Sequence, residues 1–128
     1  MVLLTFEGTK PCKKFLRLGI AGNNLVDTLV MKVSKMQGDL DLSRFSASLK
    51  MSNKDLTYAD KINDLSVQEQ DKYLLVSYIA GQKATSQGSL DMQMVFEKVD
   101  AENVENALVW QTQMFNATFD PSINVGDI

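Results

Sequence analysis

A chain with no histidine and a single cysteine has few routes to covalent catalysis, so the first question is which of its other groups could do chemistry. A Ser-His-Asp triad, a His/Cys zinc site and an intrachain disulfide are excluded by composition alone. Paired carboxylates remain, and Asp39 with Asp41, or Asp91 with Glu97, are the candidates by spacing for acid–base work. In an extended Asp39-Leu-Asp-Leu-Ser43 the two carboxylates share one side and could hold a cation, but the further oxygen ligands of a calcium loop are missing. These acids read as turn and strand-start residues. Cys12 sits beside Pro11 and two lysines, which would acidify its thiol slightly, yet no histidine or second cysteine is there to use it. No GxGxxG or Gly-Lys-Ser/Thr pattern introduces a phosphate loop. Catalytic, cofactor-binding and metal-ligating residues are therefore left unassigned, and no enzyme and no cofactor are expected.

Other features also have a bland reading. Met31, Met51, Met92 and Met94 fall on rows that point inward and are read as core filler rather than soft-metal ligands. Trp110, the only tryptophan, is read as a core anchor, with carbohydrate stacking as the rival. Asn116-Ala-Thr118 matches a glycosylation acceptor, a tripeptide frequent by chance. Lys10, Lys13, Lys14 and Arg17 form the densest basic group, but a net charge of −3 gives a polyanion overall repulsion, so nucleic acid is not expected. No apolar run is long enough to cross a bilayer and the start lacks a basic leader, so membrane insertion is not expected and synthesis in the cytoplasm is.

The elements that would position these residues are strands. Phe45, Ala47, Leu49 and Met51 alternate with Ser46, Ser48 and Lys50; Leu90, Met92, Met94 and Phe96 alternate with polar residues; Leu29, Met31 and Val33 do so more weakly. Tyr73 to Ile79 is apolar on both faces apart from Ser77, which predicts a central strand with the core on one side and a neighbouring element on the other. Leu16, Leu18 and Ile20, then Leu108 to Met114, then Phe115 to Phe119, add candidates, and Val2 to Phe6 a possible edge strand. Gly22-Asn23-Asn24, Gln37-Gly38-Asp39, Ser52 to Asp55 and Ser86-Gln87-Gly88 supply turns between them. Ser66-Val-Gln-Glu69 has capping-box form and Asp100 to Ala107 could make two helical turns, but both are short and polar and read as loops. A 128-residue chain with 45% hydrophobic and 23% charged residues folds as one globular unit. The expected fold is all-β, an antiparallel sandwich of about seven or eight strands.

The succession of segments also resembles a known family. Asp27 to Val33, Gly38-Asp-Leu-Asp-Leu-Ser43, Phe45 to Met51 closing in a Ser-Asn turn, Tyr73 to Ile79, Gly88 to Phe96, Val109-Trp-Gln-Thr112 and Phe119 to Ile123 together resemble the N-terminal domain of phage baseplate upper proteins. The resemblance implies an immunoglobulin-like β-sandwich that binds other virion proteins. The chain would then divide into an N-terminal strand or arm region, residues 1–24, and a sandwich, residues 25–128. The end at Ile128, without the connecting segment of longer family members, suggests a small component present in many copies. The implied function is a non-enzymatic structural protein of a tailed phage virion, an adaptor in the baseplate or tail-fibre region. Its partners would be other virion proteins, with homo-oligomers in a larger assembly. Capsid decoration or head-fibre attachment is the alternative, and a host-surface carbohydrate-binding sandwich the second. Leu3, Leu4 and Phe6 are the candidate partner-contact strand, donated to or paired with another subunit.

Overall fold

A computed structural model of the chain describes residues 1–98 and 107–123. The alternating rows become strands in the order β1 (Val2–Glu7), β2 (Lys10–Pro11), β3 (Phe15–Ile20), β4 (Asp27–Ser34), β5 (Met36–Gln37) and β6 (Leu40–Asp41). A 3-10 turn (Leu42–Arg44) then leads into β7 (Ser46–Ser52), β8 (Ala59–Ile62), β9 (Ser66–Gln70) and β10 (Tyr73–Ala80). The short helix α1 (Gln82–Thr85) precedes β11 (Ser89–Lys98), β12 (Leu108–Gln111) and β13 (Phe115–Asp120). One sheet runs β2-β1-β4-β10-β9 and the other β3-β13-β11-β7-β8, with β12 also on β11; β5 and β6 form a separate hairpin. The all-β sandwich is present, with more strands than the sequence suggested because three of them are only two residues long and because β8 and β9 carry no apolar alternation.

Pairing is antiparallel with two exceptions: β1 runs parallel to β4, and β3 parallel to β13. A parallel neighbour needs a long crossover. The connection through β2 and β3 supplies one for β1, and almost the whole chain lies between β3 and β13. Alternation reveals which side chains face inward but not strand direction, which is why the sheets are mixed rather than purely antiparallel.

The inward rows meet in one core. Leu29, Met31 and Val33 on β4 and Leu74, Val76 and Tyr78 on β10 face Leu49 and Met51 on β7 and Leu90, Met92, Met94 and Phe96 on β11, all buried. Phe115, Ala117 and Phe119 extend the second sheet's inner face, joined by Leu16 and Leu18. Ile20, expected inward, is exposed. A register shift at Thr118/Phe119 sets Gly19 opposite Phe119 and Ile20 opposite Asp120, so a bulge turns Ile20 to the outer face. Gly19 thereby lies where Asp27 tucks its carboxylate, on which a Cβ would intrude; Asn23 Nδ2 donates to that carboxylate at 3.2 Å.

Residues 1–24 are built into the sandwich. β1 pairs with β4 from Val2↔Leu29 to Thr5↔Lys32, and its side chains alternate as any half-buried strand's do. Leu4 is 1% exposed and Phe6 packs edge-on to Phe115, with centroids 5.9 Å apart. β2 and β3 add a partner to each sheet. The expected boundary after residue 24 thus coincides with no break in packing. Ser66 to Glu69, expected as a loop, lies in β9 because that strand completes the ladder along β10. The segment Asp100 to Ala107 lies outside the described residues save for Ala107.

Leu4 and Leu3 test the placement of β1 directly. Leu4→Ala should cost about 2–5 kcal/mol in urea unfolding, as a cavity in a closed core does, and Leu3→Ala within about 0.5 kcal/mol. Equal, small effects would mean that the strand does not belong to the sheet.

Candidate functional site

The candidate residues separate by the face on which alternation puts them. Leu4 and Phe6 belong to the core, while Leu3, 56% exposed, lies on the outer face of the first sheet beside Val30. Along Val2 to Leu4 the side of β1 away from β4 has no strand partner among the described residues, because β2 pairs only at Phe6 and Glu7. The candidate contact strand is therefore an edge with Leu3 outward and its other two side chains engaged internally.

Trp110 sits on β12 opposite Phe96 of β11, half-buried, with the two rings edge to face at 5.8 Å. The residues around it close a gap in the second sheet. β13 pairs with β11 up to Met92 and β12 resumes at Val95, which leaves Gln93 and Met94 without a ladder partner on that side. Thr112 fills the gap: its N–H donates to the Met94 carbonyl at 3.0 Å, its Oγ1 accepts from the Met94 N–H at 3.1 Å, and its carbonyl accepts from Gln93 Nε2 at 2.9 Å. Those buried backbone groups would otherwise lack partners. The Trp-Gln-Thr run is thus a structural joint.

The carboxylates do not converge. Asp39 stays exposed in the turn between β5 and β6, whereas Asp41 Oδ1 accepts from the Ser43 hydroxyl at 2.6 Å and the Ser43 N–H at 3.0 Å. The Ser43 hydroxyl is the main reason that the Asp41 carboxyl is held below the usual range. Asp91 accepts from Asn116 Nδ2, and Glu97 takes the Lys61 ammonium. Asn116, the acceptor of the glycosylation tripeptide, is thus tied into a strand paired on both sides. Among the described residues no three His, Cys, Asp or Glu side chains are grouped to hold a metal ion. Cys12 is exposed.

Two open clefts have mixed linings. One, of about 530 Å³, is lined by Ser34, Lys35, Met36, Asp41, Asp71, Lys72 and Tyr73. Two of its four ions are engaged: Lys35 pairs with Glu69 at 2.5 Å, a hydrogen bond that raises the ammonium's pKa, and Asp41 is held by Ser43. The other, of about 450 Å³, lies across the outer side of the second sheet among Lys50, Lys61, Asp91 and Gln93. Neither assembles a nucleophile with a base. Of the aromatic residues that could stack a sugar, Tyr78 is buried, Tyr58 is partly buried, and Tyr73 has the Lys32 ammonium 4.2 Å from its ring centroid.

Comparison with known proteins adds one decisive observation. The solved N-terminal domain of phage TP901-1 ORF48 superposes on this chain with a TM-score of 0.58 at 10% sequence identity, over 93% of this chain and 97% of that one. The two share a fold. No protein-family model and no curated protein matches the sequence. At that identity the likeness resides in the fold.

Tyr78 gives the core a pH signature. Its hydroxyl donates only to the Met51 sulfur, at 3.7 Å, and burial pushes its pKa from 10.0 up to about 12. Across that window the unfolded tyrosine has released its proton and the native one has not, so stability must fall as pH rises. Tyr78→Phe should flatten that decline in urea midpoints measured at alkaline pH; an unchanged slope would place the titration elsewhere.

Proposed function

We propose that this chain is a non-enzymatic structural component of a tailed phage virion, a protein–protein adaptor in the baseplate or tail-fibre region. The observation that carries the proposal is the fold shared with the N-terminal domain of a phage protein along nearly the whole of both chains. The order of motifs that resembles baseplate upper proteins supports it independently of the coordinates. The pairing of Lys35 with Glu69 and of Lys61 with Glu97, and the hold of Ser43 on Asp41, fit a chain that acts through shape and sheet edges.

The physical mechanism is strand and face recognition. A sandwich with open edges presents unpaired N–H and C=O groups that a neighbour can extend by β-augmentation. Among the described residues the first sheet ends on one side in the two-residue β2, which leaves β1 open along Val2 to Leu4, and on the other in β9, whose five residues are all exposed. Partners of this chain would be other virion proteins recognised at such edges, without nucleic acid.

Gold labelling of a tagged copy on purified particles tests the reading. Label at the tail tip, at a regular copy number, is the expected result. Label on the capsid, or absence of the chain from the particles, would overturn it, as would turnover of a cell-wall polysaccharide by the purified protein.

A further inference from the structure

The aromatic side chain most open to water among the described residues is Phe15, 76% exposed at the start of β3. Alternation turns its ring to the outer face of the second sheet while Leu16 and Leu18 go to the core. Lys13 and Lys14 lead into it, both exposed and neither in an ion pair among the described residues. The carboxylates at neighbouring positions have other partners: Asp120 takes Arg17, Asp91 accepts from Asn116, and Glu7 stands opposite Lys10. On a chain of net charge −3, this corner therefore sets unpaired positive charge beside an exposed ring. β3 is also the edge of its sheet, with β13 its one strand partner among the described residues. The Asn116 N–H donates to the Lys14 carbonyl at 2.6 Å, and the Thr118 hydroxyl to the Leu16 carbonyl at 3.1 Å. These bonds fix the phase of the parallel ladder: Leu16 turns its backbone groups to β13, and Phe15 and Arg17 turn theirs to the open side.

We propose that this edge takes an acidic, extended segment of another protein, added to β3 as a further strand. The backbone groups of Phe15 and Arg17 supply the ladder, the Phe15 ring receives an apolar side chain on the outer face, and Lys13 and Lys14 meet a carboxylate. Lysines beside an edge also serve to keep like edges apart, which accounts for Lys13 and Lys14 alone. It does not account for Phe15, because an exposed ring works against such protection. Charge complementarity selects the occupant. A nucleic acid or an anionic membrane would meet only two unpaired lysines in front of a chain of net negative charge, whereas one or two carboxylates on a short segment are matched by them. A single added strand buries less area than a standard interface, so the association is a weak one. The inference stands on this edge and goes beyond the virion reading, which invokes the edges of the first sheet and survives whether or not β3 is used.

A fluorescent peptide of alternating valine and aspartate, titrated into the full chain at physiological salt, tests it by anisotropy. Binding with a dissociation constant of about 10–100 µM is expected, and the valine–lysine counterpart should bind about tenfold more weakly or less. Phe15→Ser should weaken binding about tenfold, and Lys13→Glu with Lys14→Glu should transfer the preference to the valine–lysine peptide. All three positions are exposed, and circular dichroism checks that the variants stay folded. In amide spectra the signals of Phe15 and Arg17 should move on adding the peptide while those of β9, the far edge of the other sheet, stay in place. No binding of the valine–aspartate peptide, equal binding of both peptides, indifference to Phe15→Ser, or shifts at β9 instead of β3 would overturn the proposal. So would tighter binding to phosphatidylserine vesicles or to single-stranded oligothymidylate than to the acidic peptide.

Discussion

The structure depends on the stacking of two inward rows, one from β4 and β10 and one from β7 and β11. Leu29, Met31, Val33, Leu74 and Val76 on one side, and Leu49, Met92, Met94 and Phe96 on the other, are all but inaccessible to water. At about 25 cal/mol per Å² of apolar surface buried, each such side chain contributes roughly 1.5–3 kcal/mol, and their sum opposes the entropy of ordering the chain. The outer strands follow from this constraint. β1 and β3 attach because Leu4, Phe6, Leu16 and Leu18 extend the same apolar layer, and they do so in the parallel sense that their long connections permit.

What could be read from the sequence follows the same division. The rows Ala47-Leu49-Met51 and Leu90 to Phe96 were legible because period two survives wherever one face is buried, and the four methionines placed inward are indeed in the core. β8 and β9 carried no such signal. Their residues are almost all exposed, so their strand state is imposed by hydrogen bonding to β7 and β10, and the Ser66 to Glu69 capping-box pattern yields to that ladder. The outward turn of Ile20 depends on a one-residue bulge, invisible to a pattern that assumes unbroken alternation. Strand direction has no signature in alternation at all, and the free-arm reading of residues 1–24 rested on where the family resemblance began rather than on the apolar period of Leu4 and Phe6.

The functional reading was legible mainly by subtraction. The sequence holds no histidine, and Asp41, Glu69 and Glu97 are each held by a near neighbour. The fold is the one seen in a phage protein's N-terminal domain. Tyr73 to Ile79 is apolar on both sides, a pattern that states a need for two covers, yet Tyr73 and Ile79 on the outer side of β10 are exposed among the described residues.

Hydrogen exchange on the intact chain tests most directly whether β1 belongs to the stacked layer on which this account rests. The account predicts that the amides of β1 that bond to β4 exchange slowly, in step with those of β4 and β10, because they open only when the shared core opens. Exchange of β1 at the rate of a solvent-exposed loop, while β4 and β10 stay protected, would contradict it.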